Sequence, residues 1–269
     1  MRFEPTDTVV VAGNGPSLAR IAPGTVLASD RIIRTNSFFF EPRYFLGRRV
    51  DLAMMGGDPR VAPFVFETLW QCRGDYDLAR WSSHDPSVVR AGHRRFGQRY
   101  VRMPALDTPL ENRLPALSAR FEADPTTGVR AALMAYGLGA RQIIVTGVDL
   151  YTTPDARYTY APGQNYRTLM GSDIGHRGMD LRLHTPDLDR AVLALLAQED
   201  GLRLHRAQTD GPLADILDLA PVRDGIVPDQ AVRQPPADWA AWAGLYPIRA
   251  LKILRWGSLQ YRRLRGSIS

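Results

Sequence analysis

The chain has 269 residues, 45% of them hydrophobic, which suits one compact α/β domain with or without a small appendage. Its single cysteine, Cys72, excludes an internal disulfide and a thiolate metal cluster. No apolar run reaches the roughly 18 residues of a membrane span, and the start, MRFEPTD, lacks the apolar core of a signal peptide, so the cytoplasm is the expected compartment. The net charge of +6 sits at one end: from Trp239 onward there are six basic residues and no acid, while the other 28 basic residues balance 28 acids. A nucleic-acid-binding protein carries its basic residues through its body, so no nucleic-acid partner is expected.

The first element, Thr8–Ala12, is a β-branched run that reads as a buried parallel strand. It runs into Gly13-Asn14-Gly15-Pro16-Ser17. The glycines permit unusual backbone angles and close approach of a ligand, Pro16 suits a first helical position, and Ser17 bonds locally. Two readings of this turn stand side by side. One is a plain strand-to-helix connection; the other is a cradle whose helix N-terminus offers free N–H groups to an anion. A dinucleotide fingerprint would need glycine where Leu18 stands, and no Gly-Lys-Ser/Thr follows as in a P-loop.

Further strands are expected at Arg31–Thr35, Val50–Met54, Tyr100–Arg102, Gln142–Thr146 and Leu202–Arg206. TTGVRAALMAYGLGA predicts a helix capped by Thr126 or Thr127 and ended by Gly137 or Gly139. HTPDLDRAVLALLAQEDG predicts another, with Thr185 as cap, Pro186 in the first turn, and Leu188, Val192, Leu195 and Leu196 as the buried stripe. Asp187 and Asp189 have the Asp-x-Asp form that holds a metal in some transferases. In the first turn of a helix, however, acids simply complement the dipole, so no metal site is assigned. Strands alternating with helices predict a doubly wound, mostly parallel, Rossmann-like α/β sheet, whose ligands bind beyond the carboxyl ends of its strands.

The organisation follows. Residues 1–150 form a nucleotide-binding α/β unit. Residues 151–184, with four tyrosines and no clear period, form a lid or substrate loop, and 185–238 return to the α/β unit. After Pro235, Pro236 and Asp238 comes a basic tail, 239–269. There Trp239, Trp242, Tyr246, Trp256 and Tyr261 interleave with arginines and a lysine, and Ile248, Leu251, Leu254, Leu259 and Tyr261 recur at roughly helical spacing. This is the composition of a helix lying in a membrane interface, which predicts peripheral attachment. The alternative is a terminal helix packed on the body or on another subunit.

In order, VAGNGPSL (11–18), RTNSFFFEPRYFLG (34–47), PTTGVRAALMAYGLGARQIIVTGVDLY (125–151), HTPDLDRAVLALL (184–196) and GPLADILDLAP (211–221) make the chain similar to glycosyltransferase family 42. These are bacterial sialyltransferases that use CMP-activated sialic acid. The resemblance implies a variant of the architecture of the metal-requiring glycosyltransferases that works without a metal or other cofactor. It implies a CMP-sugar donor, a glycan or glycolipid acceptor, and work at the inner membrane face. A homo-oligomer is left open. Donor binding falls to Gly13, Asn14, Gly15, Asn36, Thr126, Thr127, Gly128 and Gly147. Tyr151 and Tyr158 would bind the leaving phosphate, the latter across a one-residue insertion that leaves Tyr160 as a substitute. His184 matches the general base, with His176 the second choice; His84 and His93 lie in an Arg-rich stretch that reads as surface.

Two departures bear on the donor. Asp124 stands where the family has a basic residue, and Asp58-Pro59 replaces Asn-Pro, so that Asp58 faces the cytidine or the sugar in place of asparagine. Another CMP-activated nonulosonic acid, or another nucleotide or diphosphate donor on the same fold, is therefore an alternative. A non-enzymatic membrane-surface protein is a second one.

Overall fold

A computed structural model of the chain describes residues 1–106, 109–152, 158–161, 163–170, 184–251, 253–254, 256–257 and 260, without the side chains of 168–170. His176, most of the lid, and Leu259 and Tyr261 of the tail lie outside the described residues.

The first three strands are β1 (Thr8–Ala12), β2 (Arg31–Thr35) and β3 (Arg49–Met54). Helix α1 (Ala62–Gln71), strand β4 (Asp77–Ser82) and helices α2 (Pro86–Phe96), α3 (Pro109–Phe121) and α4 (Thr127–Gly137) follow. Next are β5 (Gln142–Thr146), α5 (Gln164–Met170), α6 (Pro186–Leu196), β6 (Arg203–Arg206) and the two-residue β7 (Asp218–Leu219). They build one seven-stranded sheet in the order β4-β3-β2-β1-β5-β6-β7, every pair parallel. The expected α/β class and parallel sheet are therefore what the chain forms.

Both faces of the central strands are covered, which is why β1 and β5 carry unbroken apolar triplets. Val9 and Val11 of β1, with Ile143 and Val145 of β5, face a core supplied by α4 and α6. Val10, Ala12, Ile32 and Ile144 face the opposite side with Leu18 and Phe45. A third core joins α1, α2 and the Phe38–Phe40 turn to the far strands, and it takes in Trp239, Ile248 and Leu251.

Two expectations need correction. Tyr100–Arg102 is not a strand. It makes a single parallel bridge with Trp81, and the fourth strand is the earlier Asp77–Ser82, where exposed Arg80 beside buried Trp81 breaks the apolar pattern. The Pro16–Arg20 element is one short 3-10 turn rather than an α-helix.

Register sets the site. Ala12 pairs with Arg34 on one side and with Thr146 on the other, Thr35 with Met54, and Met54 with Ser82. The loops after β1, β2, β3, β4 and β5 therefore leave from one edge. The strand order turns back between β1 and β5, the place where such sheets take their ligands.

Candidate active site

The turn after β1 is built against the turn after β5. Gly13 N–H donates to the Thr146 carbonyl and Gly15 N–H to that of Gly147, both at 2.9 Å. A side chain on Gly13 would run into the Gly147 carbonyl oxygen. One on Gly147, whose φ is +62°, would come to 2.6 Å from the Gly13 oxygen. Gly15 is pressed in the same way against the Asp149 carboxylate, which accepts from Ser17 N–H at 3.0 Å. The start of the Pro16–Arg20 turn therefore already faces an anion, Asp149, whose carboxyl is pushed up by burial while bonds from Ser17 oppose the shift. A row of free N–H groups at this turn is not what the fold builds. Its glycines instead let two backbone segments meet at the switch point.

Two asparagines tie the neighbouring loops to this junction. Asn14 is buried, and its side-chain amide donates to the Thr35 carbonyl at 2.8 Å. Its own carbonyl accepts from Thr159 N–H at 2.9 Å, so the lid comes down on this loop. Asn36, left-handed at φ 48°, accepts from Gly56 N–H at 2.8 Å through Oδ1 and so joins the ends of β2 and β3. Asp58, in the same loop, accepts from Arg60 N–H at 2.8 Å and holds the entry to α1. Gly56 lies so close to the Thr127 hydroxyl that a side chain there would overlap it, and a side chain on Gly128 would meet Val148 at 2.9 Å. The β3 and β5 loops thus both reach the first turn of α4.

That first turn is an open helix terminus. Thr126 is the N-cap residue, yet its side chain makes no capping bond. Its hydroxyl donates instead to Asp189 Oδ2 (2.6 Å) and its N–H to Asp189 Oδ1 (2.9 Å). Both oxygens of the one buried acid of the Asp-x-Asp pair are thereby engaged by Thr126. Burial pushes this carboxyl up to about 6, against the bonds from Thr126, which favour its charged form. The uncapped first-turn N–H groups of α4 carry the positive end of an 11-residue helix toward the strand ends.

His184 stands beside this terminus. Its Nδ1 lies 2.6 Å from the Asp124 carbonyl oxygen. A carbonyl only accepts, so Nδ1 carries the proton and a neutral ring presents Nε2 as its acceptor. Arg130 clamps the same segment, donating to Asp124 Oδ1 (2.9 Å) and to the Pro125 carbonyl (3.1 Å). The acid at position 124 is thus paired with the guanidinium of Arg130. His84, two residues beyond β4, faces the same corner. The residue is exposed, yet lost hydration, then the Arg130 charge, push its imidazole down to about 4. The surface reading of His84 agrees with its exposure; its place at this corner was not foreseen.

The tyrosines approach from the lid. Leu150 and Tyr151 are consecutive left-handed residues, at φ 49° and 57°, a conformation that costs about 1–3 kcal/mol per residue and collects at functional sites. Tyr158 stacks on Tyr160, with centroids 5.1 Å apart and rings 10° from parallel, and Tyr160 rests on Phe40. Of the residues expected from sequence, the fold brings Gly13, Gly15 and Gly147 into contact. It links Asn14 to the lid, Asn36 to the β3 loop, and Thr126 through Asp189 to the His184 corner. Asp149, Arg130, Asp189 and His84 were not assigned roles there. No group of three or more metal-ligating side chains occurs among the described residues.

Residues 7–78 match the family model described as alpha-2,3-sialyltransferase (CST-I). Cst-I, a monofunctional alpha-2,3-sialyltransferase of Campylobacter jejuni, superposes with a TM-score of 0.77 at 18% identity, covering 98% of each chain. The resemblance to sialyltransferases holds in sequence and in fold. The sialyltransferase CstII of the same organism, solved with the substrate analogue CMP-3FNeuAc, gives a TM-score of 0.73 at 19% identity, over 89% of this chain and 96% of CstII. CstII with a trisaccharide acceptor and CMP gives 0.68 at 18% identity, over 88% and 96%. Curated proteins include no match to the sequence. At these identities the solved sialyltransferases establish the fold, a glycosyltransferase fold.

Proposed function

We propose that this chain is an inverting sialyltransferase that moves a sialic-acid-like sugar from CMP to a hydroxyl of a glycan acceptor. The observation that carries the reading is the His184 bond to the Asp124 carbonyl, which leaves Nε2 as the acceptor beside an uncapped helix terminus. An acceptor hydroxyl must lose its proton as it attacks the anomeric carbon, and a neutral imidazole takes that proton. CMP leaves from the opposite face in a single displacement, which inverts the anomeric centre. The α4 N-terminus and Arg130 offer positive charge to the donor's anionic groups, and Tyr151 and Tyr158 donate to the departing phosphate. Asn14, Asn36 and Asp58 supply the donors and acceptors that a cytidine or sugar edge requires. The solved relatives contain CMP, a CMP-sugar analogue or an acceptor trisaccharide, which supports the same substrate class here.

The tail favours an acceptor presented at a membrane. Trp242, Leu245, Ile253, Leu254 and Trp256 are exposed in a stretch without acids. Anionic lipid adds about 1 kcal/mol per basic residue near its surface. The described residues include no helix long and apolar enough to cross a membrane, so attachment would be peripheral. The deciding experiment is CMP release from a panel of CMP-nonulosonic acids, with UDP-, GDP- and ATP-linked donors as controls. Release from CMP donors alone supports the reading; release only from another nucleotide class, or from none, overturns it.

A further inference from the structure

The join between the body and the basic tail reaches into the lid. The Asp238 carboxylate accepts from the backbone N–H of Asn165 (2.5 Å) and of Tyr166 (3.3 Å), at the start of α5. A side chain on Gly163, just ahead of α5, would overlap that carboxylate. Asn165 returns the contact, its amide donating to the Trp239 carbonyl at 3.0 Å. Trp239 is anchored in its turn: it is buried, and its indole N–H donates to Ser37 Oγ at 3.4 Å. The buried Tyr166 ring lies 4.7 Å, centroid to centroid, from that of Trp239. Its hydroxyl donates to the Tyr158 hydroxyl at 3.2 Å.

A phenol oxygen that accepts from a neighbouring hydroxyl is held in place, and the hydroxyl chain polarises its own O–H bond. The geometry points to Tyr166 as a positioning residue. Held from behind by Asp238 and Trp239, it fixes Tyr158 and readies the Tyr158 hydroxyl to donate to the leaving phosphate. The inference rests on the role given to Tyr158 in the proposed transfer. It makes residues 238 and 239 part of the support of the active site, rather than the beginning of an accessory tail.

A double-mutant cycle tests it, with CMP release from the donor that the panel identifies as the readout. Tyr166→Phe keeps the ring and removes the donated bond; kcat is expected to fall about fivefold, the worth of one ordinary hydrogen bond, with donor KM unchanged. In a Tyr158→Phe background the same change is expected to have no further effect, since its target is gone. Asp238→Asn, which weakens the hold on α5 without emptying the site, is expected to lower kcat in the natural background and to be silent in the Tyr158→Phe one. A tyrosine that only packs would lower activity by the same factor in both backgrounds, and that result overturns the inference. So does a Tyr166→Phe variant with unchanged kcat while Tyr158→Phe is slow. If Tyr158→Phe itself turns over normally, the role of Tyr158 is wrong and this inference falls with it.

Discussion

The His184 reading makes a prediction that separates its two ring nitrogens. Nδ1 is tied to the Asp124 carbonyl at 2.6 Å, and Nε2 is the proposed base. Asparagine places its side-chain amide nitrogen near the position of Nδ1 and has nothing at that of Nε2. His184→Asn therefore keeps the anchor and deletes the base. A positioned general base is worth roughly 100- to 10,000-fold, or about 3–5 kcal/mol of barrier. We expect kcat to fall within that range while CMP affinity, measured by calorimetry, and melting temperature stay at the natural values. His184→Ala removes the anchor as well, and is expected to lose about 1 kcal/mol of stability for the missing bond, a shift of a few degrees in melting temperature. The reasoning is refuted if His184→Asn retains kcat within a few-fold. It is also refuted if the loss appears in CMP affinity rather than in turnover, because then the ring serves the nucleotide.

Three further outcomes are expected. Gly13→Ala is expected to lose about 1–3 kcal/mol in a denaturant titration, because its side chain runs into the Gly147 carbonyl; unchanged stability would mean the two turns are not so closely packed. Asp189, whose carboxyl burial holds near 6 against an ordinary 3.8, contributes stability that is full below pH 4 and fades as pH rises through 6, by about 3 kcal/mol at most. Asp189→Asn should flatten that slope between pH 4 and 7, and an unaltered slope would assign it to other groups. Removing residues 252–269 should abolish sedimentation with anionic vesicles at low salt and leave the fold intact. Removing 239–269 also strips buried Trp239, Ile248 and Leu251, each worth about 1.5–3 kcal/mol, and should unfold the protein; equal behaviour of the two truncations contradicts the packing.

The tail was read as an amphipathic helix with its stripe over Ile248–Tyr261, lying at a membrane or, alternatively, packed on the body. Ile248 and Leu251 of its apolar stripe are buried in the body, whereas Leu254 is half exposed, so the stripe changes surroundings partway along. The period shows in the sequence; what the stripe packs against does not. The strands divide in the same way. β1 and β5 were legible to the residue because both faces are covered and their centres are unmixed apolar triplets; β2 was legible from Ile32-Ile33 alone, although its Arg34 is buried against Glu41. β4 was not, because an edge strand mixes Arg80 with Trp81. The buried stripe of α6 was read as including Leu195, but it is Leu193 that is fully buried, with Asp189 beside it. A buried carboxylate cannot be inferred from an apolar period, since its partner, Thr126, lies 63 residues away.

The same distance in sequence explains what the glycine turn concealed. Gly13-Asn14-Gly15 was read either as a plain strand-to-helix turn or as an anion cradle, and the Ser17 N–H that follows it is taken by Asp149, 132 residues on. The helix terminus left open is that of α4, whose cap residue, Thr126, turns its hydroxyl away to Asp189. Had Thr126 capped its own helix, one of the first-turn N–H groups would be occupied. Asp189 holds Thr126 through both carboxyl oxygens beside His184, so one acid already stands at that end of α4 while the N–H groups of its first turn carry no side-chain cap. Arg130 stabilises the same corner through Asp124 and Pro125, so the acid at position 124 does not leave the site without a cation. Helix terminus, guanidinium and imidazole thus meet at one edge of the sheet, and the transfer proposed above would set the helix terminus toward the departing anion and the imidazole toward the incoming hydroxyl. Displacement at a CMP-linked anomeric carbon demands both at once.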